Sequence, residues 1–294
     1  MKLIATMPAR NEGWIIGLSA RVALMWCDEI VILNHASTDD TAERIGELQE
    51  QHPFRVHVIS VPEAQWSEMR HRQDMLDLAR TKGATHIAII DADEILTPDL
   101  FNFPRSALLK PNDGQILQLP GYNLRCSLNR YHLNGLWGDR WFSVAFADNP
   151  RFYWASWGRD QYDHHHREPF GMTCQSYRPV GQGRGGVMHL WGVTDRRLRA
   201  KHALYKVTER LRWPEKPIKE IDRMYSLWKT GSHPNEPNTW QFADVPKAWW
   251  EPYEDLVAKY LHVDAEPWQE NEVRRLIDKH GPERFRGLDL FGIA

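Results

Sequence analysis

Two carboxylates one residue apart, Asp91 and Asp93, close the apolar run of residues 86–90, and Glu94 follows them directly. In an extended chain their side chains point to one face. Carboxylates that close repel each other unless a cation lies between them or one is neutralised. Hard divalent ions such as Mg2+ or Mn2+ take oxygen ligands of this kind and share them with substrate phosphates, so the pair points toward a nucleoside diphosphate. Acidic pairs also cap helices and sit at solvated strand ends, so the spacing alone does not decide between the two readings.

The elements that would carry this pair alternate. Residues 3–7 predict a first strand, followed by the polar turn Pro8, Ala9, Arg10, Asn11, Glu12 and a helix with apolar positions Trp14, Ile15, Leu18, Val22 and Leu24. Residues 29–33 predict a second strand ending in Asn34, His35, Ala36, Ser37, Thr38, Asp39, Asp40 and Thr41. Ser37, Thr38 and Asp39 offer an N-cap for a helix through Ala42, Ile45 and Leu48. A third strand at 55–61 leads through Pro62 to a helix from about Ser67 to Lys82, with Gly83 as its stop. Strand and helix alternate as in an open parallel sheet, whose ligands bind beyond the carboxyl ends of the strands. All three polar clusters fall at such ends.

These clusters resemble the motifs of the GT-A fold glycosyltransferases, family 2. Residues 8–12 resemble the opening P-x-x-N-E motif, residues 34–41 the D-G-S-T-D-x-T motif and residues 91–94 the D-x-D-[DE] motif; Arg72-Gln73 resembles the A-R-N segment, with Gln where Asn is usual. Asn34 stands where many members carry Asp, and His35 where they carry Gly. The resemblance implies an α/β fold, a GT-A (Rossmann-like) mixed, mainly parallel sheet flanked by helices. It covers residues 1–100 well and reaches loosely to about 205. The expected division is a glycosyltransferase domain over 1–205, with 1–100 as nucleotide-sugar half and 101–205 as acceptor half, and a helical C-terminal extension over 206–294.

Composition is compatible with this. The chain has 294 residues and a formal net charge of −2, with no long basic run, which argues against duplex binding through phosphate neutralisation. Cys27, Cys126 and Cys174 lie far apart and form neither a disulfide framework nor a C-x-x-C zinc site. The start does not read as a signal peptide, and no apolar run approaches a membrane span. The expectation is a soluble, cytoplasmic protein.

Past Glu94 the pattern shortens. Residues 115–119, 141–146 and 151–154 predict strands, the last two joined as a hairpin through 147–150. Trp137, Trp141, Trp154, Trp157 and Trp191 suit stacking on an acceptor sugar or base, or ordinary packing. Of His164, His165 and His166, adjacent residues that cannot easily converge on one ion, one is assigned to the active site and the others to the surface. His189 ends a strand at 186–188. The resemblance implies that it completes the metal shell, with Arg196 and Lys201 of the following basic helix holding the diphosphate; a satisfied buried histidine is the plain alternative. Residues 181–186 are glycine-rich but lack the ending of a phosphate loop and are read as a mobile loop. The tail is helical and punctuated by prolines, with 231–238 as the internal boundary; Trp249 and Trp250 are read as packing positions, or as a membrane or partner contact.

The function so implied is transfer of a sugar from a nucleoside diphosphate sugar, a UDP-sugar by expectation, to an acceptor hydroxyl with inversion, a hexosyltransferase-like EC 2.4 activity using Mn2+ or Mg2+. Asp93 and His189 are expected on the metal, with Asp91 near the ribose or reaching the metal through water. Pro8, Arg10, Asn11, Glu12, Asn34, Ser37, Asp39, Arg72 and Asp91 would frame the nucleotide. Inversion needs a carboxylate base, and Asp139, Asp163 and Glu168 stay open, with the 163–168 stretch preferred. The acceptor is a glycan, a lipid-linked sugar, a protein or a hydroxymethylated base in viral DNA. The rivals are a sugar nucleotidyltransferase and a non-catalytic nucleotide-sugar or glycan-binding module of the same fold.

Overall fold

The structure is a computed structural model; it describes residues 1–65, 67–101, 114–155, 167–172, 175–225 and 240–293. In chain order these form β1 (Leu3–Ala9), α1 (Ile16–Trp26), β2 (Glu29–His35), α2 (Thr41–Gln51), β3 (Val56–Val61), α3 (Glu68–Thr81), β4 (His86–Ile89) and β5 (Glu94–Leu96). There follow β6 (Gln115–Asn123), β7 (Arg130–His132), β8 (Arg140–Ala147), β9 (Gln175–Tyr177), β10 (Val187–His189), α4 (Asp195–Arg212), α5 (Ile218–Met224), β11 (Phe242–Asp244), α6 (Glu254–Tyr260) and α7 (Trp268–His280).

The described residues group into two compact units. The first comprises Met1–Gly121, Trp141–His189 and Pro246–His262, and the second Tyr122–Arg140, Leu190–Val245 and Val263–Ala294.

The first unit is organised by a mixed sheet in the order β3-β2-β1-β4-β8-β6-β10-β5, with β9 beside β6. β1 pairs in parallel with β2 and β4, and β2 with β3, while β8 runs antiparallel to β4 and β10 antiparallel to β5. β1 and β2 read as continuous apolar runs because both their faces are covered; Leu3, Ile4, Ala5, Ile30, Val31 and Ile32 have no exposed surface. Gly83, at φ +79°, ends α3 as expected from a left-handed stop. The N-cap of α2 is Asp40 rather than residues 37–39, yet Asp39 still serves the helix start, its Oδ1 accepting from the Thr41 N–H at 3.0 Å.

One expectation is corrected. Residues 151–154 form no strand: β8 finds its antiparallel partner in β4, and Tyr153 only bridges Phe170. The packing reading of Trp249 holds; it is 2% exposed and its Nε1 donates to Asp99 Oδ2 at 2.6 Å. The 246–262 segment completes the first unit. Tyr253 donates its hydroxyl to the Leu96 carbonyl at 2.6 Å, and Arg21 lies 3.8 Å over the Tyr260 ring.

In the second unit Ala203 and Val207 of α4 form an apolar cluster with Val273 and Leu276 of α7, Phe285 and Leu290. α4 runs through residue 205 without a break, and β11 and β7 form a two-stranded antiparallel ribbon. Among the described residues no helix is long and apolar enough to cross a membrane.

Candidate functional site

The first two motifs are joined to each other before they can meet any ligand. Asn11, in the left-handed region at φ +54°, receives on its Oδ1 the Thr38 N–H at 2.7 Å and gives its own N–H to Ser37 Oγ at 2.9 Å. Asp39 takes the Gly13 N–H on Oδ2 at 3.1 Å and the Thr41 hydroxyl on Oδ1 at 2.5 Å. A Cβ on Gly13 would stand 1.8 Å from Asp40 Oδ1 and 3.1 Å from the Thr41 nitrogen, so a side chain there would push Asp40 aside. Asn11, Ser37 and Asp39 therefore build the cradle with the side chains expected to frame the nucleotide. Arg10 Nη1 donates to the Ala64 carbonyl at 3.0 Å, and Glu12 accepts from Trp14 Nε1 at 2.7 Å. Asn34, at the end of β2, keeps Oδ1 buried without a hydrogen-bond partner among the described residues. Its neighbour His35 is fully buried against His71, ring centroids 4.8 Å apart; burial first, then nearby cationic charge, lowers both imidazoles, His71 to about 4.

The acidic turn lies across the sheet. Asp91 N–H donates to Glu94 Oε2 at 3.1 Å and Glu94 N–H to the Asp91 carbonyl at 3.0 Å, closing residues 91–94 on themselves. Arg72 of α3, 4% exposed, meets Glu68 through Nε at 2.9 Å and stands 3.5 Å from Asp91 Oδ1. Burial pushes the Asp91 carboxyl up, but the Arg167 and Arg72 guanidiniums pull it well below the usual carboxylate range. Glu94, 1% exposed, is held above its ordinary value by burial despite Arg167. Asp93 Oδ1 lies 3.4 Å from His189 Nε2, because the β5–β10 register sets His189 opposite Glu94.

Glu168 accepts from Ser143 Oγ at 2.8 Å in the first unit. Asp139, Arg196 and Lys201 belong to the second. There Arg196 closes both arms on Glu270, at 2.7 and 2.9 Å, and Lys201 lies 5.0 Å over the Trp191 ring. Asp163, the three consecutive histidines, Trp157, Cys174 and the 231–238 boundary lie outside the described residues. Trp154 is core, packed on Phe146, and Trp191 stacks on His202. Sequence reasoning left Arg167, Glu68 and Phe142 without roles. The signal for Arg167 was Glu94 itself, since a carboxylate directly after an apolar strand needs a cation if it is to be buried.

Among the described residues no group of three or more His, Cys, Asp or Glu side chains is placed to hold a metal ion. Asp93 and His189 are a two-ligand set, which suits a small hard cation that keeps waters and takes its remaining ligands from phosphate. Asp91 is engaged by guanidinium instead, though its Oδ1 is buried without a hydrogen bond.

Residues 7–149 match the family described as Glycosyl transferase family 2. This segment is therefore similar to that family over just under half of the chain, and the sheet that it helps to form is mixed and mainly parallel. Among solved structures, the chain is similar to S. aureus TarS 1-349 in complex with UDP-GlcNAc, at 15% identity and TM-score 0.37, covering 50% of this chain and 45% of that one. It is also similar to glucosyl-3-phosphoglycerate synthase from Mycobacterium tuberculosis in complex with Mn2+, UDP and glucosyl-3-phosphoglycerate, at 21% identity and TM-score 0.30, covering 42% and 44%. The chain thus spans less than half the length of these structures. No curated protein matches the chain.

Proposed function

We propose that this protein transfers a sugar from a nucleoside diphosphate sugar, UDP-linked in the first instance, to an acceptor hydroxyl. The observation that carries the reading is the pairing of Asp93 with His189 beside the acidic turn, within a segment that matches glycosyl transferase family 2. Asp93 and His189 would hold Mn2+ or Mg2+, which when bound supplies positive charge for the departing diphosphate. Arg72, buried with an Nη1 that has no hydrogen-bond partner among the described residues, is disposed to donate to a phosphate oxygen. Asn34 Oδ1 supplies a spare acceptor at the end of β2, and the Asn11–Asp39 cradle orients the chain around it. Bond cleavage between the anomeric carbon and the diphosphate is matched by bond formation to the acceptor oxygen, whose proton goes to a carboxylate. Glu168 is the described candidate in the first unit, oriented by Ser143; Asp163 and Asp139 are the alternatives. We assign the donor half to residues 1–100 and the catalytic domain to about 1–205.

Incubation with a panel of nucleotide sugars, with Mn2+ and with chelator, tests this. Release of a nucleoside diphosphate that stops in chelator is the expected result. Release of pyrophosphate indicates nucleotidyl transfer, and binding without turnover indicates a sugar-binding module.

A further inference from the structure

Arg167 reaches into the acidic turn and holds the residues on either side of Asp93. Its Nη2 donates to Asp91 Oδ2 at 2.5 Å and to Glu94 Oε1, whose side chain is 1% exposed. Arg72 stands 3.5 Å from Asp91 Oδ1, but without the Arg167 guanidinium the buried Glu94 carboxylate would face Asp91 across the closed turn with no cation of its own among the contacts described. The guanidinium is seated: its carbon lies 5.2 Å from the centroid of Phe142, whose edge meets His189 at 5.6 Å and 83°. Gly121 makes that seat possible, since a Cβ there would stand 1.9 Å from the Phe142 ring. One nitrogen is thus committed twice, while Nη1 is buried with no hydrogen-bond partner among the described residues.

We propose that Arg167 is a positioning residue that serves as the built-in counter-cation of the acidic turn. It supplies the positive charge that Asp91 and Glu94 require, opposes capture of a free divalent ion at neighbouring Asp93 and His189, and offers Nη1 to a diphosphate oxygen. Metal capture is thereby made conditional on the nucleotide, because the diphosphate adds the negative charge that lets both cations coexist. The inference rests on the nucleoside diphosphate reading above and assigns an order to it: ion and nucleotide enter together.

The test is Mn2+ titration of the full chain, followed by water-proton relaxation, with and without UDP. The unmodified protein binds Mn2+ weakly alone and more tightly with UDP. Arg167→Gln tightens binding of Mn2+ alone by about tenfold and shrinks the UDP enhancement, whereas Arg167→Lys keeps the unmodified pattern. A purely structural role would lower thermal stability and leave Mn2+ affinity unchanged or weaker. If Arg167→Gln does not fold, the double variant Arg167→Gln with Glu94→Gln, which removes the buried charge together with its partner, must show the same gain. Unchanged or weakened Mn2+ affinity in the folded variants overturns the proposal. Donor turnover by the unmodified protein separates the two readings: turnover with no gain in Mn2+ affinity removes Arg167 alone, and absence of donor binding and turnover removes the donor reading.

Discussion

Arg72 of the first unit is 4% exposed and meets Glu68 with one side of its fork, while Nη1 keeps no hydrogen-bond partner; Arg196 of the second is 54% exposed and closes both arms on Glu270. The same side chain is a donor with capacity to spare in one place and a tie between helices in the other. The contrast extends further. Around the acidic turn Asp91 Oδ1, 3.5 Å from Arg72, and Arg167 Nη1 are also buried without a hydrogen bond among the described residues, a costly state unless a ligand offsets it. In the second unit buried charges are answered within the unit, Lys206 by Asp222 at 3.0 Å and Glu270 by Arg196, while His132 sits among Phe242 and Trp240 and His202 lies flat on Trp191.

The comparison can be broken most sharply at Asp93. Asp93→Asn keeps the side-chain shape and removes a charged ligand, so transfer should fall by about a thousandfold with the melting temperature unchanged. Near-normal steady-state rates that still require metal would take Asp93 out of the site.

Acid should find the second unit. Burial, followed for His132 by neighbouring arginine charge, lowers His132 and His202 to about 3 from the ordinary 6.5. The unfolded chain therefore binds protons that the folded one refuses between pH 6.5 and 3. Stability is full above 6.5 and declines as pH falls through that window. From pH 7 to pH 5 each histidine should remove about 2 kcal/mol. Denaturant titrations read by circular dichroism measure the drop, and His202→Gln should recover about 2 kcal/mol of it; an unaltered pH dependence would show that His202 is protonated in the folded state.

Smaller effects sharpen the picture. Gly121→Ala forces a methyl against Phe142 and should cost about 1–3 kcal/mol while weakening Mn2+-dependent UDP affinity, because His189 and Arg167 both lean on that ring. Calorimetry with and without Mn2+ separates this from simple destabilisation. Arg196→Ala should change stability by less than about 1 kcal/mol and leave UDP affinity within about twofold, as expected of an exposed ion pair. A large loss of affinity would return Arg196 to the donor site.

Much of the fold was legible because β1, β2 and β4 are buried on both faces and write themselves as unbroken apolar runs. The partner of β8 was not. Its side-chain pattern suits any antiparallel neighbour, and a nearby turn made the 151–154 segment look nearer than β4. The carboxylates of the site were visible from their spacing, but Arg167 was not, since nothing local distinguishes it from the polar residues beside it. Nor does the basic helix reveal that Arg196 is answered by Glu270, 74 residues later. Asp39 shows a subtler gap: its motif was recognisable, while its work of tying Gly13 and Thr41 together required the approach of two strand ends.

The return of residues 246–262 to the first unit also sets a timetable for synthesis. Tyr253 has no exposed surface, its hydroxyl is bonded to β5 just beyond the acidic turn, and Arg21 of α1 is covered by Tyr260. A nascent chain that has emerged only to the end of β10 holds every strand of the sheet and still lacks part of its cover. The amino-terminal half must therefore wait, with α1 and β5 incompletely sheltered, until most of the polypeptide has left the ribosome.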